Sequence, residues 1–122
     1  MIHRMRLHNK PFELIKNKSK TIEMRLFDEK RRLIKKGDII EFENRTTLEI
    51  IKTKVIKLYK YKTFDELYKH FNKKELGYLR NETINVKDIE KYYSKEEQNK
   101  YGALAIRVEL IEEAIWRQKK IY

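Results

Sequence analysis

The segment Lys20-Thr21-Ile22-Glu23-Met24-Arg25 concentrates the residue types that could do chemistry in this chain. In an extended strand Glu23 and Arg25 stand side by side on one face with Thr21 preceding them, because side chains alternate with a period of two. Lys20 has the opposite parity, but it sits at the strand's mouth, where a long flexible side chain can curl back. A carboxylate held between two cations offers a polar ligand both an acceptor and donors. The plainer reading is a solvated face lying opposite Ile22, Met24 and Leu26. A second group is Tyr92, Tyr93 and Tyr101, interleaved with Lys91, Lys95 and Lys100. These rings either form a stacking platform beside phosphate-binding charges or pack over the core with their hydroxyls wet. Glu66 is a further carboxylate of interest.

Several other chemistries find no support. The chain has no Cys, which removes disulfides, thiol catalysis and Cys-based metal sites. His3, His8 and His70 lack the i,i+4 spacing of a helical zinc site, and no Gly-rich phosphate loop or Gly-x-Ser-x-Gly elbow is present. No metal or cofactor is expected.

The elements that must position these residues follow from local pattern. Ile2 to Leu7 reads as a strand, and Pro11 fits the first turn of a short helix carrying Phe12, Leu14 and Ile15. Thr21 to Phe27 alternates as a strand. Gly37-Asp38 marks a turn into a strand over Asp38 to Glu43. Leu48 to Tyr61 reads as a long strand whose apolar parity drifts, which predicts a bulge. Thr63 and Glu66 have capping-box spacing, and Phe64, Leu67, Tyr68 and Phe71 share one helical face. A further helix is predicted from Asn85 through Tyr93. Ser94 and Glu97 start another, which Gly102 closes. Ala103 to Leu110 is the last strand, followed by an amphipathic helix from Ile111 to Lys120 with a Glu113–Arg117 pair and Trp116 as a packing anchor. Strands flanking a helical middle, without βαβ alternation, argue an α+β fold with a small, mostly antiparallel sheet or barrel.

Charge points to the partner. Lys and Arg number 30 against 19 Asp and Glu, a formal net charge of +11 over 122 residues, and nucleic acid is the commonest polyanion. Part of that excess has another source. Ile, Lys, Asn and Tyr, whose codons are A/T-rich, make up 51 residues, and Lys outnumbers Arg 21 to 9. The longest purely apolar run is Ala103 to Ile106, and no signal-peptide core precedes Lys10, so a soluble cytoplasmic domain without membrane contact is expected.

Lys20, Glu23 and Arg25 also resemble the K-x-x-E-x-R part of the G-x-K-x-x-E-x-R signature of ASCH domains, members of the PUA-like group, and the chain is most similar to their small bacterial branch. Pro11, Gly37-Asp38, Phe64-Glu66-Leu67, Tyr92-Tyr93-Ser94 and Tyr101-Gly102 extend the resemblance. The departure is Lys18, where the family has Gly; a side chain there disfavours a turn with φ > 0. The resemblance implies an α+β, PUA-like mixed or antiparallel β-barrel of five to six strands with surrounding helices. It places the ASCH domain at residues 1–110, with 111–122 as a C-terminal helix or tail. It further implies RNA or a modified nucleoside as partner, bound by Lys20, Glu23, Arg25, Tyr92, Tyr93 and Tyr101. One branch of the family hydrolyses N4-acetylcytidine with a Lys, a Thr nucleophile and a Glu. Lys20 matches that Lys, but Glu23 stands where the Thr would fall. An amidohydrolase here would have to draw on Lys20, Glu23, Thr21 and Glu66. The third reading is a protein-interaction adaptor docking through its final helix.

Overall fold

The computed structural model of the protein describes residues 1–112. Its elements run β1 (Ile2–Leu7), α1 (Asn9–Lys16), β2 (Ile22–Leu26), a 3-10 turn (Arg31–Leu33), β3 (Ile39–Asn44), β4 (Ile50–Tyr61), α2 (Phe64–Tyr68), α3 (Lys87–Glu90), α4 (Lys95–Tyr101) and β5 (Ala103–Ile111). The strands form one mixed sheet in the order β1-β3-β4-β5-β2. Only β1 and β3 run parallel; the other three pairings are antiparallel. The sheet curls into a half-barrel flanked by the helices, an α+β architecture consistent with a PUA-like barrel.

The curl creates two cores, and β5 separates them. Leu104, Ile106 and Val108 face inward with Met5, Phe12, Ile15, Ile40, Phe42 and Val55. Ala103 and Ala105 point the other way, to Ile22, Leu26, Phe64, Leu67 and Tyr68. Small alanines at these positions let the short helices lie close to the sheet. The drift in β4 is a register break between Val55 and Lys57, which switches the parity so that Leu58 stays on the first core while Tyr59 and Tyr61 reach the second.

Two helices depart from their sequence patterns. The helix beginning at Thr63 ends after Tyr68, although Phe71 still packs on the same core. The Thr63 side chain accepts from the Glu66 backbone N–H, whereas the reciprocal capping box closes only at Ser94 and Glu97. The helix expected from Asn85 to Tyr93 shrinks to Lys87–Glu90. Each of these helices is too short to persist by propensity and is held by the apolar residues it buries. Lys18 corrects the expectation drawn from a missing glycine: it adopts φ +70 as a lysine. The strain, about 1–2 kcal/mol for a residue with a Cβ, is offset by Lys18 N–H donating to Ile15 O and Lys20 N–H to Leu14 O. The Lys18 ammonium also pairs with Glu112. Of the helix expected over 111–120, Ile111 instead closes β5, while Trp116 and the Glu113–Arg117 pair lie outside the described residues. No helix among the described residues is long and apolar enough to cross a membrane.

Candidate functional site

The alternation of β2 is real, but its charged face is not the wet one. Glu23 is in register with Ile106 and Arg25 with Leu104, so both charged side chains share the sheet face of the inner core. β2 is therefore covered on both sides. The Glu23 side chain is 7% exposed, Lys20 4% and Arg25 14%.

Burial of three charges is tolerable only if they satisfy one another. Arg25 donates to Glu23 Oε2 from Nε at 3.0 Å, and its Nη2 lies 2.9 Å from the same oxygen. Lys20 Nζ lies 3.3 Å from Glu23 Oε1 and donates to the Leu76 carbonyl at 3.0 Å. Lys20 reaches this position because residue 77 is glycine: a Cβ there would meet Lys20 Cδ at 2.8 Å, and the backbone sits at φ +95. Arg25 Nη2 also donates to the Arg6 carbonyl of β1 at 2.9 Å. That bond ties together β1 and β2, the two free edges of the sheet.

The electrostatics are asymmetric. Burial alone would raise the Glu23 carboxyl, but Arg25 and then Lys20 outweigh it and hold the group below the usual carboxylate range. For Lys20 burial wins and pulls the ammonium down, against the opposing pull of Glu23. Arg25 is pushed up: burial opposes its charge, while Glu23 and then Tyr93 more than compensate. Glu23 and Arg25 are thus both shifted towards their charged forms, and Lys20 is the member whose charge burial opposes. Glu23 Oε2 accepts a hydrogen bond from Arg25 Nε, and the carboxylate keeps acceptor capacity for a ligand.

Glu23 and Arg25 open onto a cavity of about 370 Å³ between β1 and β2, lined also by Arg6, Arg45, Tyr92 and Tyr93. Of the two tyrosines, Tyr93 is committed to packing, its ring stacked on Phe64 at 5.7 Å and 3°. Tyr92 is 61% exposed, with its ring near His8 at 6.0 Å. The other sequence candidates lie elsewhere. Lys20 and Thr21 line a different cavity of about 330 Å³ with Lys18, Glu109 and Glu112, and the Thr21 hydroxyl is buried there without a hydrogen-bond partner. Glu66 and Tyr101 line an open recess with Lys60, Lys62 and Lys100. Among the described residues no three His, Asp or Glu side chains converge as metal ligands do.

Sequence reasoning missed Gly77, Arg6 and Arg45. A glycine one residue after Leu76, with no hairpin around it, was a signal for close backbone approach. The arginines were visible as the rarer cation in a lysine-rich chain.

The profile of the ASCH domain family matches residues 5–112. The crystal structure of a hypothetical protein superposes with a TM-score of 0.80 at 38% identity, covering 91% of this chain and all of the other. The solution structure of a Pyrococcus furiosus protein superposes with a TM-score of 0.67 at 35% identity, covering 92% of this chain and 99% of the other. No curated protein matches the chain.

Proposed function

Because the chain belongs to the ASCH domain family, we propose that it binds RNA, or a nucleotide within it, in the cavity between the β1 and β2 edges. The observation that carries this reading is the convergence of ionised Glu23, Arg25 and the exposed Tyr92 ring on one cavity. Glu23 accepts a hydrogen bond from an exocyclic amine through its remaining acceptor capacity, and Arg25 meets a base edge or phosphate. Tyr92 stacks on the base, while Tyr93 contributes its rim and its effect on Arg25. Lys20 acts from behind as a positioning residue, since its ammonium is tied to Leu76 and Glu23.

Tyr92→Ala leaves the core untouched and is expected to weaken single-stranded RNA binding by the worth of one stacked base, about 1–3 kcal/mol. Fluorescence anisotropy across a salt series would read this. Unchanged affinity in the variant, or wild-type affinity indifferent to salt, would remove the basis for this reading.

A second reading, hydrolysis of an N4-acylated cytidine, has one observation in its favour: the unpartnered Thr21 hydroxyl shares a cavity with Lys20. If it holds, wild-type protein releases acetate from N4-acetylcytidine and Thr21→Val does not. A wild-type protein that releases none ends it. Glu66 lines the recess of Tyr101 and takes no part in that cavity.

A further inference from the structure

The nucleotide cavity does not end at Arg25. Arg6, Arg25 and Arg45 also line an adjoining cavity of about 640 Å³, whose remaining walls include Arg4, Lys30 and Arg31. The choice of cation is telling. Five of the nine arginines line these two cavities, against one of the 21 lysines. A bias towards A/T-rich codons would favour lysine everywhere, so arginine has been placed here for a property lysine lacks. That property is the planar fork that meets a phosphate through two parallel hydrogen bonds.

Two of these side chains have donors to spare. Arg45 is exposed and has no ion-pair partner among the described residues. Arg31 donates from Nη1 to Asp28 at 2.8 Å, but its Nε is buried with no acceptor. Arg4 and Arg6 stand on the outward face of β1, opposite Glu41 and Glu43 of β3 at 3.2 and 3.6 Å. Two residues apart on a strand, they are ~6.6 Å apart along it, a step of the order of that between phosphates in an extended strand. The intervening carboxylates break up the positive surface, so an anion gains only where its charge meets a guanidinium.

We propose that this second cavity seats the sugar–phosphate backbone of a single-stranded RNA, so that the site takes a base within a chain and not a free nucleoside or mononucleotide. The proposal rests on the nucleotide-binding reading above and adds the class of substrate to it. Arg45, common to both cavities, then holds the phosphate next to the bound base, and Arg6, Arg4 and Arg31 follow the strand outward.

The test compares a mixed-sequence single-stranded RNA decamer with cytidine 5′-monophosphate. Wild-type protein is expected to bind the decamer at least roughly tenfold more tightly, with a steeper salt dependence. Arg4→Ala with Arg31→Gln, which line only the second cavity, should weaken decamer binding several-fold and reduce the salt slope by about 0.7 for each phosphate no longer neutralised. Mononucleotide affinity should stay the same. Arg4→Ala alone, at a side chain 87% exposed, covers the case in which loss of the Arg31–Asp28 pair disturbs folding. Equal affinity for decamer and mononucleotide, or a decamer affinity indifferent to Arg4, would overturn the proposal. If decamer binding still depends on Tyr92, this inference fails alone. If the wild type binds neither ligand, the nucleotide reading falls with it.

Discussion

Glu23→Gln is expected to destabilise the protein by about 3–5 kcal/mol at pH 7, the usual cost of removing one partner from a buried ion pair. The substitution keeps shape and leaves the Lys20 and Arg25 cations facing each other without the carboxylate between them. Its pH dependence identifies the cause. In the wild type Glu23 titrates below its unfolded value near 4.5. Its contribution is therefore complete above that pH and is lost as pH falls through the folded pKa. Asp38, lowered to about 2 mainly by the His3 hydrogen bond, adds a loss below 3.8. In Glu23→Gln the Glu23 part of that acid loss should vanish, leaving the parts from Asp38 and from Glu82, which the Lys10 hydrogen bond lowers. At the alkaline end the sign reverses. Lys20 is already lowered by burial, and without Glu23 nothing offsets the opposition of burial and Arg25 to its charge. The variant should gain stability more steeply than the wild type as pH rises towards 10.5, while the unfolded chain holds the extra proton. Urea denaturation between pH 3 and 10 would read both limbs. A Glu23→Gln curve parallel to wild type would mean that the trio is not the source of the effect.

Gly77→Ala should be nearly as damaging, at about 2–3 kcal/mol. Backbone at φ +95 costs a residue with a Cβ about 1–2 kcal/mol. The remainder comes from the new methyl pressing on Lys20 Cδ at 2.8 Å, which moves the ammonium from the Leu76 carbonyl and Glu23. These two parts can be separated. In a Lys20→Ala background the backbone strain persists but the collision is gone, so the two substitutions should cost clearly less together than the sum of each alone. Strict additivity in denaturation would show that Gly77 is required only for its backbone, with no part in placing Lys20.

Much of this was visible along the chain, and the exceptions share a cause. Alternation located β2, the parity drift located the bulge in β4, and Ser94 with Glu97 located the start of α4. All three are local rules, read within one element. The order Lys-x-x-Glu-x-Arg likewise singled out the trio that the fold brings together. What alternation could not say is that both faces of β2 are covered. That depends on the curl of the sheet, which carries Glu23 over to Ile106. The Tyr92-Tyr93 pair divides for a similar reason: one ring finds Phe64 and the other finds solvent. Tyr101 and Glu66 look like neighbours of the site only when the chain is read as a list. Lys18 shows the opposite limit. A glycine rule predicted the loss of a left-handed turn, and neighbouring hydrogen-bond and charge partners keep it.

The pairing of β2 has a consequence for how the molecule comes to exist. Its strand partner is β5, with Glu23 opposite Ile106, so every element from β3 to α4 lies between the two sides of that ladder. Closing so long a loop is slow, and contacts of this separation set the pace of folding. While β5 is unmade, on the ribosome or after truncation before residue 103, β2 has no ladder to join. Glu23 and Lys20 then stay hydrated, with no buried trio to complete. The buried charged trio is for this reason a late product of folding, and every chain that holds it has already assembled its sheet.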